Sequence, residues 1–256
     1  MKPTVWVDIE ADAFGISRRH EYEYKLSEYC WSYHTRLDLT LADLEKVINR
    51  IQKHAPCHNI TICLGHHSNF RYSVFPQYKS NRRGIRRAAG YSDVRAWLQA
   101  NYDTAVLPNV EADDVVGICY KAGDLIYSPD KDLRTIAGTH LQRDGEIDTV
   151  NQLEADRAFF KQILTGDSAD GYPGCVGIGA NAKLFEADKW LECRHEEEFW
   201  DFVLMQYEKA RKKLLEKFDV MSPSKYALVM ARCARILRVG EYDFSVEQPV
   251  LWKGPG

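Results

Sequence analysis

The chain has 256 residues, of which 45% are hydrophobic and 28% are charged, and its formal net charge is −3. This composition allows a sizeable core in one large or two small domains and excludes a bulk, uniformly basic nucleic-acid binder. Seven irregularly spaced cysteines argue against a disulfide framework, and no apolar run approaches membrane-spanning length. No signal peptide opens the sequence, so we expect a cytoplasmic protein without a membrane partner.

Short apolar strands alternate with helices in the first half of the chain. We predict strands at 4–9, 60–64, 104–107 and 125–128, and helices at 40–54, 91–100 and 113–121. Thr40 is the predicted N-cap of the first helix, with Asp43 three residues later. This alternation is typical of a mainly parallel α/β sheet flanked by helices.

From about residue 153 onward the pattern favours helices. We predict a long amphipathic helix at 196–218 and a further helix at 223–238, with Ser222 as its N-cap and Pro223 at its first position. The expected division is an α/β core at 1–164 and a helical part at 165–256. No Gly/Ser-rich linker separates them, so we expect one cooperative unit.

Carboxylates are concentrated in three short clusters and at the end of the first predicted strand. The clusters are Glu111, Asp113 and Asp114; Asp130 and Asp132; and Asp167 and Asp170; the strand carries Asp8 as its next-to-last residue. Like charges a few ångströms apart repel, and Mg²⁺ relieves the repulsion because it takes oxygen ligands. In open α/β sheets ligands bind beyond the carboxyl ends of the strands, where several of these acids lie. The pattern therefore predicts metal-dependent phosphoryl chemistry.

Glycines and basic residues add two predicted phosphate-binding segments. Four glycines follow the last acid cluster, at 171, 174, 177 and 179, before an alanine-rich stretch predicted to be helical. Such glycines let backbone N–H groups approach a phosphate at a helix N-terminus. Five basic residues fall within nine positions: Lys79, Arg82, Arg83, Arg86 and Arg87. Such a local patch favours phosphate binding whatever the net charge.

Taken together, these motifs resemble the 5′ nuclease family, which includes flap endonucleases and the 5′-nuclease domains of bacterial DNA polymerases. Three acidic motifs follow the family's order: Val110-Glu-Ala-Asp-Asp-Val115, Ser128-Pro-Asp-Lys-Asp132 and Thr165-Gly-Asp-Ser-Ala-Asp170. Pro76-Gln-Tyr-Lys-Ser-Asn-Arg82, preceded by Phe70-Arg71, is similar to the family's basic signature. The C-terminal residues Met230-Ala-Arg-Cys-Ala-Arg-Ile-Leu-Arg238, with Glu241-Tyr-Asp-Phe244 and Leu251-Trp252, are similar to those of the 5′→3′ exonucleases of short-tailed phages.

The resemblance implies a PIN-like core, a helix-three-turn-helix DNA-binding element, two Mg²⁺ or Mn²⁺ ions, and K⁺ at the glycine turn. By motif match, Asp8, Glu111 and Asp113 would serve the first metal, with Asp114 nearby as a further catalytic residue. Asp130, Asp132, Asp167 and Asp170 would serve the second metal or be shared. Lys79 and Arg82 would hold the scissile phosphate, and Tyr78 could stack on a terminal base. Further DNA contacts are implied for Arg71, Arg83, Gly174, Gly177 and Gly179.

The chain departs from the family in two places. Leu64-Gly65 is followed by His66-His67, where the family usually has a metal-binding aspartate, so we expect weak first-metal binding and stimulation by Mn²⁺, with Glu10 as a substitute carboxylate. A second hypothesis is that His66 simply faces solvent or a water. The segment between Arg82 and Val110 is short, which favours a basic loop that engages a duplex end over a long helical arch.

We therefore expect a phage-encoded, divalent-metal 5′→3′ exonuclease acting in the host cytoplasm. Its expected partner is DNA, at duplex 5′ ends and flaps, with RNA–DNA hybrids as a further substrate during primer removal in replication. Two alternatives remain at this point. One is a non-catalytic DNA-end-binding paralogue, and the other is an RNA-preferring hydrolase.

Overall fold

A computed structural model describes residues 2–218 and 222–255, except for the side chain of Phe218. Its largest sheet has six strands in the order β5-β4-β1-β6-β7-β8, all parallel except the antiparallel pair β7–β8. These strands are β1 Thr4–Asp8, β4 Asn59–Cys63, β5 Thr104–Ala105, β6 Leu125–Tyr127, β7 Gly138–Leu141 and β8 Ile147–Val150. Two separate hairpins are formed by β2 Glu21–Ser27 with β3 Cys30–Thr35, and by β9 Tyr242–Asp243 with β10 Gln248–Pro249.

Ten α-helices lie within the described residues. They are α1 Glu10–Arg19, α2 Leu37–His54, α3 Arg71–Val74, α4 Tyr91–Asn101, α5 Ala112–Cys119, α6 Gln152–Thr165, α7 Asp188–Leu191, α8 Glu196–Lys209, α9 Arg211–Phe218 and α10 Pro223–Ala234. None of these helices combines the length and apolar character needed to cross a bilayer. All seven cysteines are free.

The sheet is covered on both faces, as parallel sheets require. Residues of α1, α2 and α4 form one hydrophobic cluster with β1, and residues of α5 form another that includes Ile236 and Leu237 near the C-terminus. A third cluster joins α6, α8 and α10 around Trp190. This cluster contains residues from both sides of the predicted domain boundary at 164/165. Residues 1, 219–221 and 256, which belong to the two predicted domains, are not among the residues that the structure describes. The domain division stays a prediction.

The predicted mainly parallel α/β core is confirmed, but several predicted boundaries are wrong. The helix assigned to 40–54 begins at Leu37, and the Thr40 hydroxyl donates to the Arg36 carbonyl at 2.9 Å instead of capping the helix. The helix assigned to 196–218 is divided between α8 and α9 at Ala210. Ser222 does cap α10, since its hydroxyl accepts from the Lys225 N–H at 3.2 Å, but the helix ends at Ala234.

Three antiparallel strand pairs were missed from the sequence: β2–β3, β7–β8 and β9–β10. In β2–β3, Tyr22, Tyr24 and Tyr33 alternate with polar residues around a short turn, which is a strand signal. The aromatic side of this hairpin is exposed, so its alternation does not mark a strand of the core. The β7–β8 pair is short and lies at the edge of the sheet.

The region after α6 differs most from expectation. The alanine-rich stretch after the glycines forms turns and a 3₁₀ helix at Lys183–Glu186, followed by the four-residue α7, instead of a regular helix. Backbone bonds in both directions between Asp167 and Tyr172, and one of 2.8 Å from the Cys175 N–H to the Leu164 carbonyl, hold the turn against the end of α6. The helix-three-turn-helix element therefore remains a prediction.

Candidate nuclease site

The carboxyl edge of the parallel sheet gathers most of the predicted site residues. Asp8 ends β1, and Asp130 and Asp132 follow β6 at the start of a 3₁₀ turn. Glu111 precedes α5, whose first turn contains Asp113. A turn after α6 brings Asp167 and Asp170 to the same region, because Asp170 receives hydrogen bonds from residues that also contact Glu111. The topology thus joins segments that are far apart in sequence.

The centre of one half of the site is Lys79. Its ammonium group contacts a Glu111 carboxylate oxygen and lies 3.5 Å from Asp170 Oδ1. Burial by itself lowers the pKa of Lys79, but Glu111 and Asp170 outweigh it and raise the pKa. Lys79 has a left-handed backbone (φ 52°), and its N–H donates to the Asp170 carbonyl at 2.6 Å. The backbone and the side chain together hold the charge against the two acids.

Tyr78 lies beneath this cluster. Its hydroxyl is 2.8 Å from Glu111 Oε2 and 2.6 Å from Asp170 Oδ2, and it can donate to one of them at a time. Its ring is 1% exposed and stacks with Tyr172 at 6.2 Å between centroids. The prediction that Tyr78 stacks on a terminal base is therefore wrong, because no face of the ring is available; Tyr78 positions the two carboxylates.

The Arg71–Asp114 pair forms a buried clamp behind Glu111. Arg71 donates to both Asp114 oxygens, at 2.6 and 2.8 Å, and also to the Cys233 and Arg235 carbonyls. Asp114 also accepts the Leu237 N–H at 3.0 Å. Since both side chains are buried and fully engaged, the implied DNA contact of Arg71 and the implied catalytic role of Asp114 are corrected to a structural role.

Arg82 and Arg83 extend the positive charge toward solvent. Arg82 is half exposed and donates to Asp170 Oδ1 at 2.9 Å, so it shares that carboxylate with Lys79. Arg83 donates to the Pro76 carbonyl at 2.7 Å and is exposed. Both arginines remain available for phosphate contacts.

The second half of the site contains acids with little cationic compensation. Burial, with a contribution from Glu10, raises the pKa of Asp8 to about 7. Burial, with Asp130 and Asp167 nearby, raises the pKa of Asp132 to about 6. The pKa of Asp113 is raised well above its ordinary value by burial and by Asp114 and Glu111. Glu111 is the opposite case, since Lys79 and Arg71 outweigh its burial and lower its pKa to about 2.

Asp130 and Asp167 shape their own turns. Asp130 Oδ1 accepts the Asp132 N–H at 2.9 Å, and Asp130 is exposed. Asp167 Oδ1 accepts the N–H groups of Ala169 and Asp170 at 2.6 and 3.1 Å, while its other oxygen is 3.8 Å from Lys131 Nζ. In both residues Oδ1 accepts the hydrogen bonds that hold the turn, so Oδ2 is the oxygen that can bind a further partner.

The donor chemistry of this region fits hard divalent cations. The candidate ligands are all carboxylate oxygens; Asp8 is buried, Asp113 and Asp132 are half-buried, and the neighbours of each include other acids. Within residues 2–218 and 222–255, however, no three His, Cys, Asp or Glu side chains lie close enough to enclose an ion. The acids would therefore have to turn toward one another to complete a ligand set.

The four glycines of the predicted phosphate turn are not equivalent. Gly174 is buried, and a Cβ there would lie 2.3 Å from the Gly166 nitrogen, so its role is to let two backbone segments pack. Its implied DNA contact is corrected accordingly. Gly177 (φ 88°) and Gly179 are exposed, with open space where a Cβ would be. These two can present their backbones to a phosphate.

His66 braces a loop in this structure. Its Nδ1 lies 2.8 Å from the Ser68 hydroxyl and 3.3 Å from the N–H groups of both Ser68 and Asn109. Two N–H donors at Nδ1 assign the ring proton to Nε2, which leaves no lone pair for a metal. Burial lowers the pKa of His66, in keeping with a neutral ring.

Sequence analysis missed two supporting groups. The Ser128 hydroxyl donates to Asp8 Oδ2 and accepts from the Asp130 N–H, both at 3.0 Å, and so links two of the acids. Arg95 donates to Glu10 and to the Gly65 carbonyl, while the Gly65 N–H donates to Glu10. Ser128 belongs to the motif Ser128-Pro-Asp-Lys-Asp132, which could have indicated its role. No local pattern indicates the role of Arg95, because its partners are 30 and 85 residues away in the chain.

Comparison with known proteins agrees with this geometry. Residues 33–163, just over half of the chain, match the family described as "5'-3' exonuclease, N-terminal resolvase-like domain". The chain is 27% identical over 218 residues to the exonuclease of Escherichia phage T7, a match covering 70% of this chain and 68% of that protein. It is 28% identical over 160 residues to the flap endonuclease Xni of Shewanella baltica, covering 53% and 60% respectively.

Solved structures share the fold. The 5′-exonuclease of phage T5 with bound zinc matches with a TM-score of 0.52 at 15% identity, over 91% of this chain and 100% of that chain. A variant T5 flap endonuclease in a pseudo-enzyme–product complex with DNA and metal ions matches with a TM-score of 0.50 at 14% identity, over 89% and 97%.

Proposed function

The chain belongs to the 5′-3′ exonuclease family, and from that premise we propose that it is a divalent-metal-dependent nuclease that hydrolyses DNA from 5′ ends. The observation that carries the proposal is the division of its carboxyl-edge site into two halves. One half holds Lys79 and Arg82 against Glu111 and Asp170. The other holds the buried Asp8 and the half-buried Asp132, whose pKa values are both raised.

Lys79 and Arg82 would bind the phosphate next to the scissile bond. Both share Asp170, so an incoming phosphate would compete with that carboxylate for their N–H groups. Because Lys79 is mostly buried, its charge acts in a region of low dielectric constant, where it stabilises negative charge more strongly than in water. Tyr78 would keep Glu111 and Asp170 oriented during this exchange.

The carboxylates would hold two divalent ions, with Mg²⁺ or Mn²⁺ as the proposed metals. Asp8, Glu111 and Asp113 would serve one ion, and Asp130, Asp132, Asp167 and Asp170 would serve the second or be shared. When bound, such ions supply positive charge at the attacking and leaving oxygens of a phosphodiester. Glu111 and Asp170, which would hold the ions, also contact Lys79, so the proposed metal ligands and the phosphate-binding ammonium group are adjacent.

The proposed substrates are duplex 5′ ends, with 5′ flaps and RNA primers in RNA–DNA hybrids as further ones. Family relatives include an exonuclease and flap endonucleases, which supports the first two. Residues 83–90 after the basic 3₁₀ turn contain no helix, which supports engagement of a duplex end without a long helical arch. Gly177 and Gly179 would bind the duplex backbone at a point remote from the cut site, and K⁺ is the cation proposed to bind there with the phosphate. Replication in a host cytoplasm is the proposed setting.

The test compares three 5′-labelled substrates: a blunt duplex, a 5′ flap and an RNA–DNA hybrid. Each is incubated with Mg²⁺, with Mn²⁺ and with excess EDTA, and the released products are sized. We expect cleavage from the 5′ end with either metal and none in EDTA. Asp132→Asn should abolish cleavage while duplex binding survives, because this carboxylate serves the metal and not the DNA.

Asp148→Asn is a matched control, because Asp148 is an aspartate on β8 that is paired to Arg134 on the surface. It should cleave like the parent protein. Cleavage that persists in EDTA would contradict the metal role. Tight end binding with no cleavage under any metal would instead support a DNA-end-binding protein, and cleavage of the hybrid alone would support an RNA-preferring hydrolase.

A further inference from the structure

The hairpin β2–β3, which we call the aromatic ribbon (Glu21–Ser27 and Cys30–Thr35), has an unusual surface. Six of the seventeen exposed large hydrophobic residues of the described chain lie within 22–33: Tyr22, Tyr24, Leu26, Tyr29, Trp31 and Tyr33. Both faces are largely exposed, and the contacts of the ribbon with the rest of the protein are at Glu21, Tyr33 and Thr35. Concentrated exposed apolar surface marks a binding site more often than scattered single residues do.

Cross-strand pairing divides the ribbon into two chemically different faces. Directly opposite residues share a face, so Lys25 with Trp31 and Glu23 with Tyr33 lie on one side. Lys25 Nζ is 5.5 Å from the Trp31 ring centroid, and the Arg86 guanidinium is 3.7 Å from that of Tyr33. We call this side the cationic face, because each of its rings has a cation beside it.

The opposite face contains rings without cations. Tyr22 pairs with His34, whose ring stacks on it at 5.6 Å, and Tyr24 meets His34 edge-on at 6.4 Å. Tyr22 and Tyr24 are about as exposed as Trp31 and Tyr33. The two faces therefore offer an internal comparison within one hairpin.

Arg86 fastens the ribbon to the basic segment of the candidate site. Its two Nη groups donate to the two Glu21 carboxylate oxygens at 2.5 and 2.8 Å, and the Ala89 N–H donates to Glu21 at 2.7 Å. Arg86 follows Arg82 by four residues, which limits their Cα separation to about 14 Å. The base of the cationic face is therefore close to Arg82 and Asp170.

Alternating cations and exposed rings next to a phosphate site are the features of single-stranded nucleic-acid binding. We propose that the cationic face, formed by Lys25, Trp31, Tyr33 and Arg86, binds single-stranded DNA continuous with the substrate's 5′ end by stacking its bases on Trp31 and Tyr33. This inference rests on the proposed nuclease function for its substrate.

The charge of the ribbon determines whether single-stranded DNA is bound mainly by base stacking or by phosphate contacts. Glu23 and Glu28 offset Lys25, and Arg86 is already paired with Glu21. The ribbon therefore adds little net positive charge, and stacking contributes more than phosphate contacts. Loss of stacking should lower affinity without changing the salt dependence, whereas loss of a phosphate contact reduces the salt slope by about one.

The experiment measures binding of a fluorescein-labelled oligothymidylate of about 12 nucleotides, within the site sizes of about 4–16 known for stacking surfaces. Binding is measured in EDTA at several salt concentrations. Trp31→Ala and Tyr33→Ala should each weaken binding by about 10- to 100-fold with an unchanged salt slope. Trp31→Phe should restore most of the affinity, because a ring is retained.

Tyr22→Ala and Tyr24→Ala are the matched controls on the opposite face and should bind like the parent protein. Cleavage of a blunt duplex with Mg²⁺ should remain in all five variants, which separates this proposal from the nuclease function. A parent protein that binds the oligonucleotide but cuts nothing refutes the proposed function alone.

Three results would overturn the proposal. The first is unchanged oligonucleotide affinity in both Trp31→Ala and Tyr33→Ala. The second is an equal loss in the Tyr22 and Tyr24 variants, which would indicate that the hairpin's fold and not its cationic face matters. The third is dissociation of a dimer by Trp31→Ala in sedimentation with oligonucleotide binding intact, which would make the ribbon a surface between two copies.

Discussion

Arg71 and Asp114 form a bidentate ion pair, with N–O distances of 2.6 and 2.8 Å, in which both side chains are buried. The pair joins α3 to α5, and further hydrogen bonds reach Cys233 in the last turn of α10 and then Arg235 and Leu237 after it. It also supports Glu111, since Asp114 Oδ2 accepts the Glu111 N–H at 3.1 Å. One salt bridge thus ties the C-terminal segment to the site.

Removing one member of this pair should destabilise the fold strongly. Arg71→Ala leaves the Asp114 carboxylate buried and unpaired, which costs about 3–5 kcal/mol. Urea denaturation should show that loss in the free energy of unfolding. Arg83→Ala is the control, since Arg83 is exposed, and it should stay within about 0.5 kcal/mol of the parent protein. A loss below about 1 kcal/mol for Arg71→Ala would contradict the buried-clamp interpretation.

Without metal, the stability of the protein should fall as the pH rises from about 4 to about 7. The pKa values of Asp8 and Asp132 are raised from 3.8 to about 7 and about 6. In that window the native state binds more protons than the unfolded chain, so ionisation on raising the pH favours unfolding. The lowered pKa of Glu111 has the opposite effect, since it makes stability rise with pH, but this effect is confined to pH values below its ordinary pKa of 4.5.

Thermal denaturation in EDTA at several pH values measures this dependence. Mg²⁺ should flatten the curve, because metal binding replaces the protons on these acids. In the absence of metal, Asp8→Asn should make the melting temperature depend less on pH, because the titrating carboxyl group of Asp8 is removed. If the melting temperature in EDTA rises between pH 5 and 7, the raised pKa values are wrong.

Lys79→Ala should lower turnover on a duplex end by about 100- to 1000-fold, because a preorganised charge at the reacting phosphate is worth about 2.7–4 kcal/mol. Single-turnover kinetics at saturating substrate measures this effect. Lys121→Ala is the control: Lys121 is exposed and precedes β6, at the opposite edge of the sheet. A Lys79 variant that needs more substrate but turns over normally would reduce Lys79 to a binding residue.

Gly179→Ala should weaken duplex binding while leaving stability unchanged. Its added Cβ meets no protein atom within 4 Å and its φ is not in the left-handed region, so only an approaching backbone would be obstructed. Gly177→Ala should lower both duplex affinity and the stability of the fold, since a φ of 88° is strained for alanine. Gly15→Ala is the control for binding, because that position is equally open; it lies within α1, where alanine should raise stability by about 0.5–1 kcal/mol. Equal affinity of the Gly179 variant and the parent across a salt titration would make the turn purely structural.

His66→Asn should leave Mn²⁺ and Mg²⁺ affinities unchanged, because Nδ1 already accepts the loop N–H groups and an asparagine oxygen can replace it. Titration calorimetry with each metal measures the affinities. A selective loss of Mn²⁺ binding would show that His66 turns to a metal, as its position in the motif suggested.

The sequence by itself determined the strands near 4–9, 60–64 and 125–128, and the acids placed after them. Those features are local, since apolar runs bounded by helical periodicity predict buried parallel strands, and the carboxyl ends of such strands meet at one edge. Lys79 and Arg82 were identified in the same way, from a basic motif within a few residues.

Only the tertiary structure decided which side chains face solvent. Arg71 and Tyr78 belong to the same basic motif as Lys79, yet both are buried because their partners, Asp114 and Asp170, are 43 and 92 residues away in the chain. Gly174 is packed against Gly166, although it has the same residue type as the exposed Gly177. A motif specifies residue types at given spacings, whereas burial depends on distant segments that no local pattern encodes.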